Sequence, residues 1–180
     1  MSKYEIRLSG SGGQGMLLSG IILAEAAIYE GKNAIQSQSY GPEARGGASK
    51  SEVIISEDEI DFPKVRNCDI LLSLTQKSYD EYSPGLKQDG ILILDDSVEY
   101  KEEKFKIFSA PIINTAVNDI GKHFVTNIVA LGALVAITNI VSKNALEKAV
   151  MSRVPKGTEE LNRKALHMGF EIGENAVNRN

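Results

Sequence analysis

The stretch from Tyr4 to Glu30 changes its hydrophobic period at a cluster of glycines, and this change constrains the fold more than any other feature of the chain. Residues Tyr4 to Leu8 alternate, as a strand entering a core does. From Gly15 onward the spacing is helical: Met16, Leu17, Gly20, Ile21, Leu23, Ala24 and Ala27 share a face. The helix is expected to run to about Glu30 and to stop at Gly31, which suits a left-handed cap. Between the two periods lies Gly10-Ser11-Gly12-Gly13-Gln14-Gly15. Strand, glycine turn and helix in this order open an α/β domain. Gly20 costs about 1 kcal/mol relative to Ala within a helix, and close packing of the helix on a strand is the usual reason to keep it.

The remaining pattern continues the alternation. Asn33 to Gln38 reads as a short strand, Ser39 to Ala48 as a turn-rich loop, and Lys50 to Ile55 as a strand with Val53 and Ile55 on one face. Glu57 to Phe62 is polar and is ended by Pro63. Asp69 to Leu74 and Ile91 to Leu94 are nearly continuous apolar runs, the mark of strands covered on both faces. Gln76 to Tyr82 is a short helix before the Pro84-Gly85 turn, and Lys106 to Phe108 is a last short strand. Helices are expected over Asn114–Ile120, Asn127–Ile140, Lys143–Met151 after Ser142 as N-cap, and Thr158–Ala176. The prediction is a three-layer α/β fold: an open, mostly parallel, Rossmann-like sheet with helices on both faces and a helical C-terminal portion. Its 180 residues suit a single domain, 1–180.

Bulk chemistry excludes several classes. A net charge of −4 with no cluster of Lys and Arg argues against nucleic acid as a partner. The apolar run Phe124–Ile140 is shorter than a membrane span needs and carries Asn127, Thr138 and Asn139, so it reads as a buried helix. The N-terminus leads straight into a strand, without the pattern of a signal peptide. A single cysteine, Cys68, supports neither a disulfide framework nor an iron–sulfur cluster, and fits a reducing, cytoplasmic setting.

The glycine turn places Gly10, Gly12 and Gly15 at the offsets of the dinucleotide-binding G-x-G-x-x-G. The rest of that fingerprint is missing. An acidic residue is needed roughly 20 residues further on, where Gln36 to Ser39 stand instead. No Lys-Ser or Lys-Thr pair follows, which excludes a phosphate loop of the nucleotide-hydrolase kind. Gly12, Gly13, Gln14 and Gly15 therefore remain candidates for a phosphate-bearing ligand at a helix N-terminus, or for close packing against a neighbouring chain. Gln14 suits a hydrogen bond to a ligand or partner, and capping of its own backbone equally well.

The second loop, Ser39-Tyr40-Gly41-Pro42-Glu43-Ala44-Arg45-Gly46-Gly47-Ala48, adds Tyr40, Glu43, Arg45, Gly46 and Gly47 to the candidate site. Arg45 offers a planar donor fork for carboxylate or phosphate, and Glu43 can fix it from behind. Tyr40 can stack or donate, and the two glycines permit close backbone approach. A surface turn with an internal Glu–Arg pair is the plainer alternative. In an open α/β sheet this loop and the glycine turn can both follow the carboxyl ends of strands, the usual binding edge; Asp95 and Asp96 follow a strand at that same edge without a third metal ligand. His123 and His167 lack a nucleophile pattern, and Cys68 reads as an inert buried thiol. No catalytic constellation emerges, which shifts weight toward a subunit of a larger enzyme.

The two loops at their mutual distance, with Gly20, Ser51-Glu52-Val53-Ile54-Ile55-Ser56, Ile60, Pro63, Asp69, Pro111, Asn127, Leu131 and Gly132, resemble the gamma subunit of 2-oxoacid:ferredoxin (acceptor) oxidoreductases over essentially the whole chain. The resemblance implies a non-catalytic subunit of a complex with alpha, beta and delta partners. Such complexes decarboxylate a 2-oxoacid oxidatively, transfer the acyl group to coenzyme A, and reduce ferredoxin or another low-potential acceptor. It implies thiamine diphosphate, Mg2+ and iron–sulfur clusters on the other subunits, none on this chain, and a gamma part that helps form the coenzyme A region. Overall likeness favours the 2-oxoglutarate version, then the pyruvate version, then the branched-chain enzymes. The isolated chain is expected to be inactive and able to form a homodimer through surfaces meant for its partners. A stand-alone Rossmann-like nucleotide-binding protein and a pure assembly module are the competing readings.

Overall fold

The computed structural model describes residues 2–38, 48–101 and 104–180. Six strands form one sheet: β1 (Lys3–Ser11), β2 (Asn33–Gln38), β3 (Ala48–Ser56), β4 (Cys68–Ser73), β5 (Leu86–Asp95) and β6 (Lys106–Ala110). Their spatial order is β2-β3-β1-β4-β5-β6. The pairs β1–β4, β4–β5 and β5–β6 are parallel. β3 runs against both of its neighbours, β1 and β2. The expected open, mostly parallel α/β architecture is present, with one antiparallel strand that periodicity did not reveal. Chain length explains it: the link 39–47 is shorter than the dozen or so residues that a parallel crossover requires, so β3 has to return beside β2.

The helices are α1 (Met16–Tyr29), α2 (Gln76–Tyr82), α3 (Ile112–Asn114) running into a π-turn (Thr115–Asp119), α4 (Thr126–Thr138), α5 (Lys143–Arg153) and α6 (Glu159–Asn178). They cover the sheet unequally. Ile6, Leu8, Ile70 and Leu72 point to one face and join α1, α4, α5 and α6 in the main core. Leu71, Leu92 and Leu94 point to the other and meet Tyr79 and Tyr82 of α2. β4 is thus buried on both faces, as its unbroken apolar run requires.

α4 is buried from Thr126 to Ala136, with no polar face, because α6 covers its outer side. The two helices meet backbone to backbone. A Cβ added at Gly169 would lie 2.3 Å from the Val129 carbonyl oxygen, and one at Gly132 would lie 2.5 Å from that of Leu166. Among the described residues no helix is long and apolar enough to cross a membrane.

Local chemistry sets the element ends. Ser142 caps α5 as expected, its Oγ accepting the Ala145 N–H at 3.1 Å. Thr75 and Ser78 form a reciprocal capping box at α2, which the sequence reading did not anticipate. β5 starts at Leu86, ahead of the apolar run, and carries Asp89 at φ +62°. The polar stretch after β3 is irregular and is tied down by buried Glu5, whose Oε2 accepts the N–H groups of Arg66 at 2.6 Å and Asn67 at 2.8 Å.

Candidate functional site

From β1 the chain builds outward first to β2 and β3 on one side, then to β4, β5 and β6 on the other. The carboxyl end of β1 is therefore the topological switch point of the sheet, the usual ligand-binding edge of open α/β folds. The glycine turn stands there. The segment Ser39–Gly47 lies outside the described residues, so Tyr40, Glu43, Arg45, Gly46 and Gly47 do too. Its anchors are at the same edge: Ser11 pairs with Ala48 and Gln38 pairs with Ser51.

The turn is closed by its own glutamine. Gln14 Oε1 accepts the Ser11 N–H at 2.7 Å, and the Gln14 N–H donates to Ser11 O at 3.3 Å. Of the two uses open to Gln14, the oxygen takes the backbone one, and its Nε2 has no protein acceptor among the described residues. Gly10 makes room for this: a Cβ there would stand 2.4 Å from Gln14 Oε1.

Gly15 is the N-cap residue of α1 at φ +76°, and it supplies no capping side chain. Its Cα is pressed against Asn127 at the start of α4, so that an added Cβ would meet Asn127 Nδ2 at 2.7 Å. With no side-chain cap, the first-turn N–H groups of α1 have no capping acceptor among the described residues, and no acidic residue in that turn opposes an anion. Gly20 has the packing role expected of it: a Cβ there would fall 2.0 Å from Ser51 Oγ on β3.

A second feature lies on the α2 face of β1 and β3 and escaped the sequence reading. Arg7 donates through Nε and Nη2 to Glu52 Oε1, at 3.0 and 2.8 Å, and Lys50 Nζ stands 3.3 Å from the same oxygen. Arg7 and Lys50 lie over the Tyr82 ring, 5.6 and 5.4 Å from its centroid. With Lys64 they line a groove of about 340 Å³ that also touches Gln38, where the second loop departs. Among the described residues, three cations and one carboxylate line it. The available signal was Arg7 itself, a charge between Ile6 and Leu8 in a core strand.

The other candidates are structural. Asp95 is buried; its Oδ2 accepts the Ser97 N–H at 3.1 Å and its Oδ1 accepts the Ile113 N–H at 2.7 Å, which fixes the entry to α3. Burial, with the adjacent Asp95 charge, pushes the Asp96 carboxyl up. Among the described residues no three His, Cys, Asp or Glu side chains gather as metal ligands. Burial pushes the Cys68 thiol up to about 12, so it is neither a nucleophile nor a ready metal ligand near neutrality. An iron–sulfur cluster needs about four thiolates, and one buried cysteine does not fit it.

Comparison with known proteins settles the family. The model for pyruvate ferredoxin/flavodoxin oxidoreductase matches residues 5–172. The chain belongs to this family. It is 50% identical over 177 residues to the 2-oxoglutarate synthase subunit KorC of Methanocaldococcus jannaschii, covering 96% of this chain and 95% of that one. It is 31% identical over 170 residues to the pyruvate synthase subunit PorC of Methanothermobacter marburgensis, covering 93% and 96%. The crystal structure of the keto/oxoacid ferredoxin oxidoreductase gamma subunit from Geobacter sulfurreducens superposes with a TM-score of 0.90 at 55% identity, over 98% of this chain and 99% of that one. The chain is a non-catalytic gamma subunit of a 2-oxoacid:ferredoxin oxidoreductase, a complex that oxidatively decarboxylates 2-oxoacids.

Proposed function

We propose that this gamma subunit serves a cytoplasmic complex oxidising 2-oxoglutarate, and that its carboxyl sheet edge forms part of the coenzyme A region. One observation carries the substrate: identity is 50% to a 2-oxoglutarate synthase subunit against 31% to a pyruvate synthase subunit, at nearly equal coverage. Alpha, beta and delta subunits are its partners, and ferredoxin or a similar low-potential carrier is the electron acceptor of the assembly. Thiamine diphosphate, Mg2+ and the clusters belong to those partners.

The residues at the edge fit a phosphate-bearing ligand. Gly12 and Gly13 are exposed, Gln14 keeps its Nε2 for donation, and Gly15 leaves the α1 N–H groups uncapped. A helix N-terminus of this kind favours an anionic oxygen. Tyr40, Glu43, Arg45, Gly46 and Gly47 belong to the same site, with Arg45 as its charged anchor. Leu17 and Phe124, 41% and 55% exposed, stand on α1 and just before α4, and suit burial against a partner subunit. Bound coenzyme A accepts the acyl group; this chain contributes position and charge.

Arg45→Ala tests the reading in the assembled complex. Loss of a charge-assisted hydrogen bond weakens coenzyme A use or subunit assembly by about 1.5–3 kcal/mol. Unchanged coenzyme A affinity together with unchanged assembly would remove Arg45 from the site.

A further inference from the structure

A second cavity, of about 110 Å³, lies behind the glycine turn, where α1, α4 and the α5–α6 connection meet. Leu18, Ile128, Val154 and Pro155 form apolar walls, and two asparagines, Asn127 and Asn162, line the same space. Both are 5% exposed.

Each asparagine is half satisfied, and the halves left over are complementary. Asn127 Oδ1 accepts the Ile128 N–H at 3.0 Å, which commits its oxygen; its Nδ2 has no acceptor among the described residues. Asn162 Nδ2 donates to Thr158 O at 2.9 Å and to Thr158 Oγ1 at 3.1 Å, which commits its nitrogen; its Oδ1 has no donor among the described residues. Native proteins pair nearly all buried side-chain polar atoms, so each orphan calls for a partner. The two do not pair with each other.

We propose that this cavity is a binding site for a neutral amide group. Asn127 Nδ2 donates to the incoming carbonyl oxygen, Asn162 Oδ1 accepts the incoming N–H, and the aliphatic walls take the carbon substituent. Every lining residue is uncharged, which disfavours a carboxylate or an ammonium group. The volume is well above the ~10–15 Å³ that one water requires and matches a small amide rather than a whole cofactor. The site is independent of where coenzyme A phosphates lie. Its occupant is an amide of a small molecule or of an Asn or Gln side chain.

Side-chain amide NMR of the full chain, titrated with acetamide and separately with acetate, tests this. Acetamide is expected to shift the Asn127 and Asn162 NH2 signals saturably, and acetate to bind at least tenfold more weakly. Asn127→Asp keeps an oxygen for the Ile128 N–H and removes the donor, so in the folded variant it lowers acetamide affinity at least tenfold. Non-saturating shifts, equal binding of acetate, or unchanged affinity in Asn127→Asp would each overturn the proposal. If Asn127→Asp does not fold, the acetamide-to-acetate ratio of the wild-type chain still decides. Repeating the titration with the assembled complex separates the sources. Persisting acetamide binding supports a small-molecule amide, and binding lost on assembly supports a partner side chain.

Discussion

Replacing Gly15 by alanine measures how tightly the glycine turn is locked to the helical layer. Two costs add. Gly15 sits at φ +76°, where a side chain costs about 1–2 kcal/mol. The new Cβ would also stand 2.7, 3.0 and 3.2 Å from Nδ2, Cγ and Cβ of Asn127, so a buried side chain has to move. Overpacking of this kind costs about 1–3 kcal/mol. Gly13 is the internal control: it lies at φ +86° with nothing within 4 Å of an added Cβ. Gly13→Ala therefore carries only the backbone cost, and both variants share the same ~0.4–1 kcal/mol entropic gain in the unfolded chain. The expected difference is about 1–3 kcal/mol. For an m-value near 2 kcal/mol/M, that difference moves the urea midpoint by about 0.5–1.5 M. Truncation in the double variant Gly15→Ala/Asn127→Ala should return most of the contact part. A Gly15→Ala chain no less stable than Gly13→Ala would refute the claim that Asn127 braces the turn.

Two further outcomes follow from the packing and the charges. Gly169→Ala places a Cβ 2.3 Å from the Val129 carbonyl, a backbone atom that cannot step aside, so thermal unfolding should show a loss at or above the ~1–3 kcal/mol of ordinary overpacking; an unchanged melting temperature would contradict the close α4–α6 seam. Burial pushes the Glu5 carboxyl up, but the Asn67 and Arg66 N–H groups and Lys3 outweigh it and hold it below the usual range. A depressed folded-state value means that its stability contribution is present above the unfolded pKa, about 4.3, and is lost as pH falls through the folded one. Glu5→Gln should thus be less stable than wild type at pH 7, with the gap closing below about pH 4; a gap independent of pH would sink this assignment.

The fold was legible where period and burial agree. β1 and α1 show it most clearly, since the alternation of Tyr4–Leu8 gives way to helical spacing at the glycines. The direction of β3 was not legible: strand periodicity is blind to polarity, and only the short link 39–47 restricts it. The long apolar helix was recognised as buried, yet α6 as its cover rests on glycine contacts between distant segments, Gly132 with Leu166 and Gly169 with Val129. At the site, the glycine turn and its edge were foreseen. Asn127 was read only as a polar residue of the apolar run and a mark of the resemblance, because its contact with Gly15 joins residues far apart in sequence. The Arg7–Glu52–Lys50 cluster was missed for the same reason. It forms across the β1–β3 register, which no local pattern encodes.

The most direct test of the central claim is reconstitution of the complex with and without this chain, followed by 2-oxoglutarate- and coenzyme A-dependent reduction of ferredoxin. The account predicts that the isolated chain is inactive, that alpha, beta and delta subunits alone lose coenzyme A-dependent turnover, and that adding this chain restores it, with 2-oxoglutarate preferred over pyruvate. Turnover by the isolated chain, or an undiminished coenzyme A-dependent rate in its absence, would contradict it.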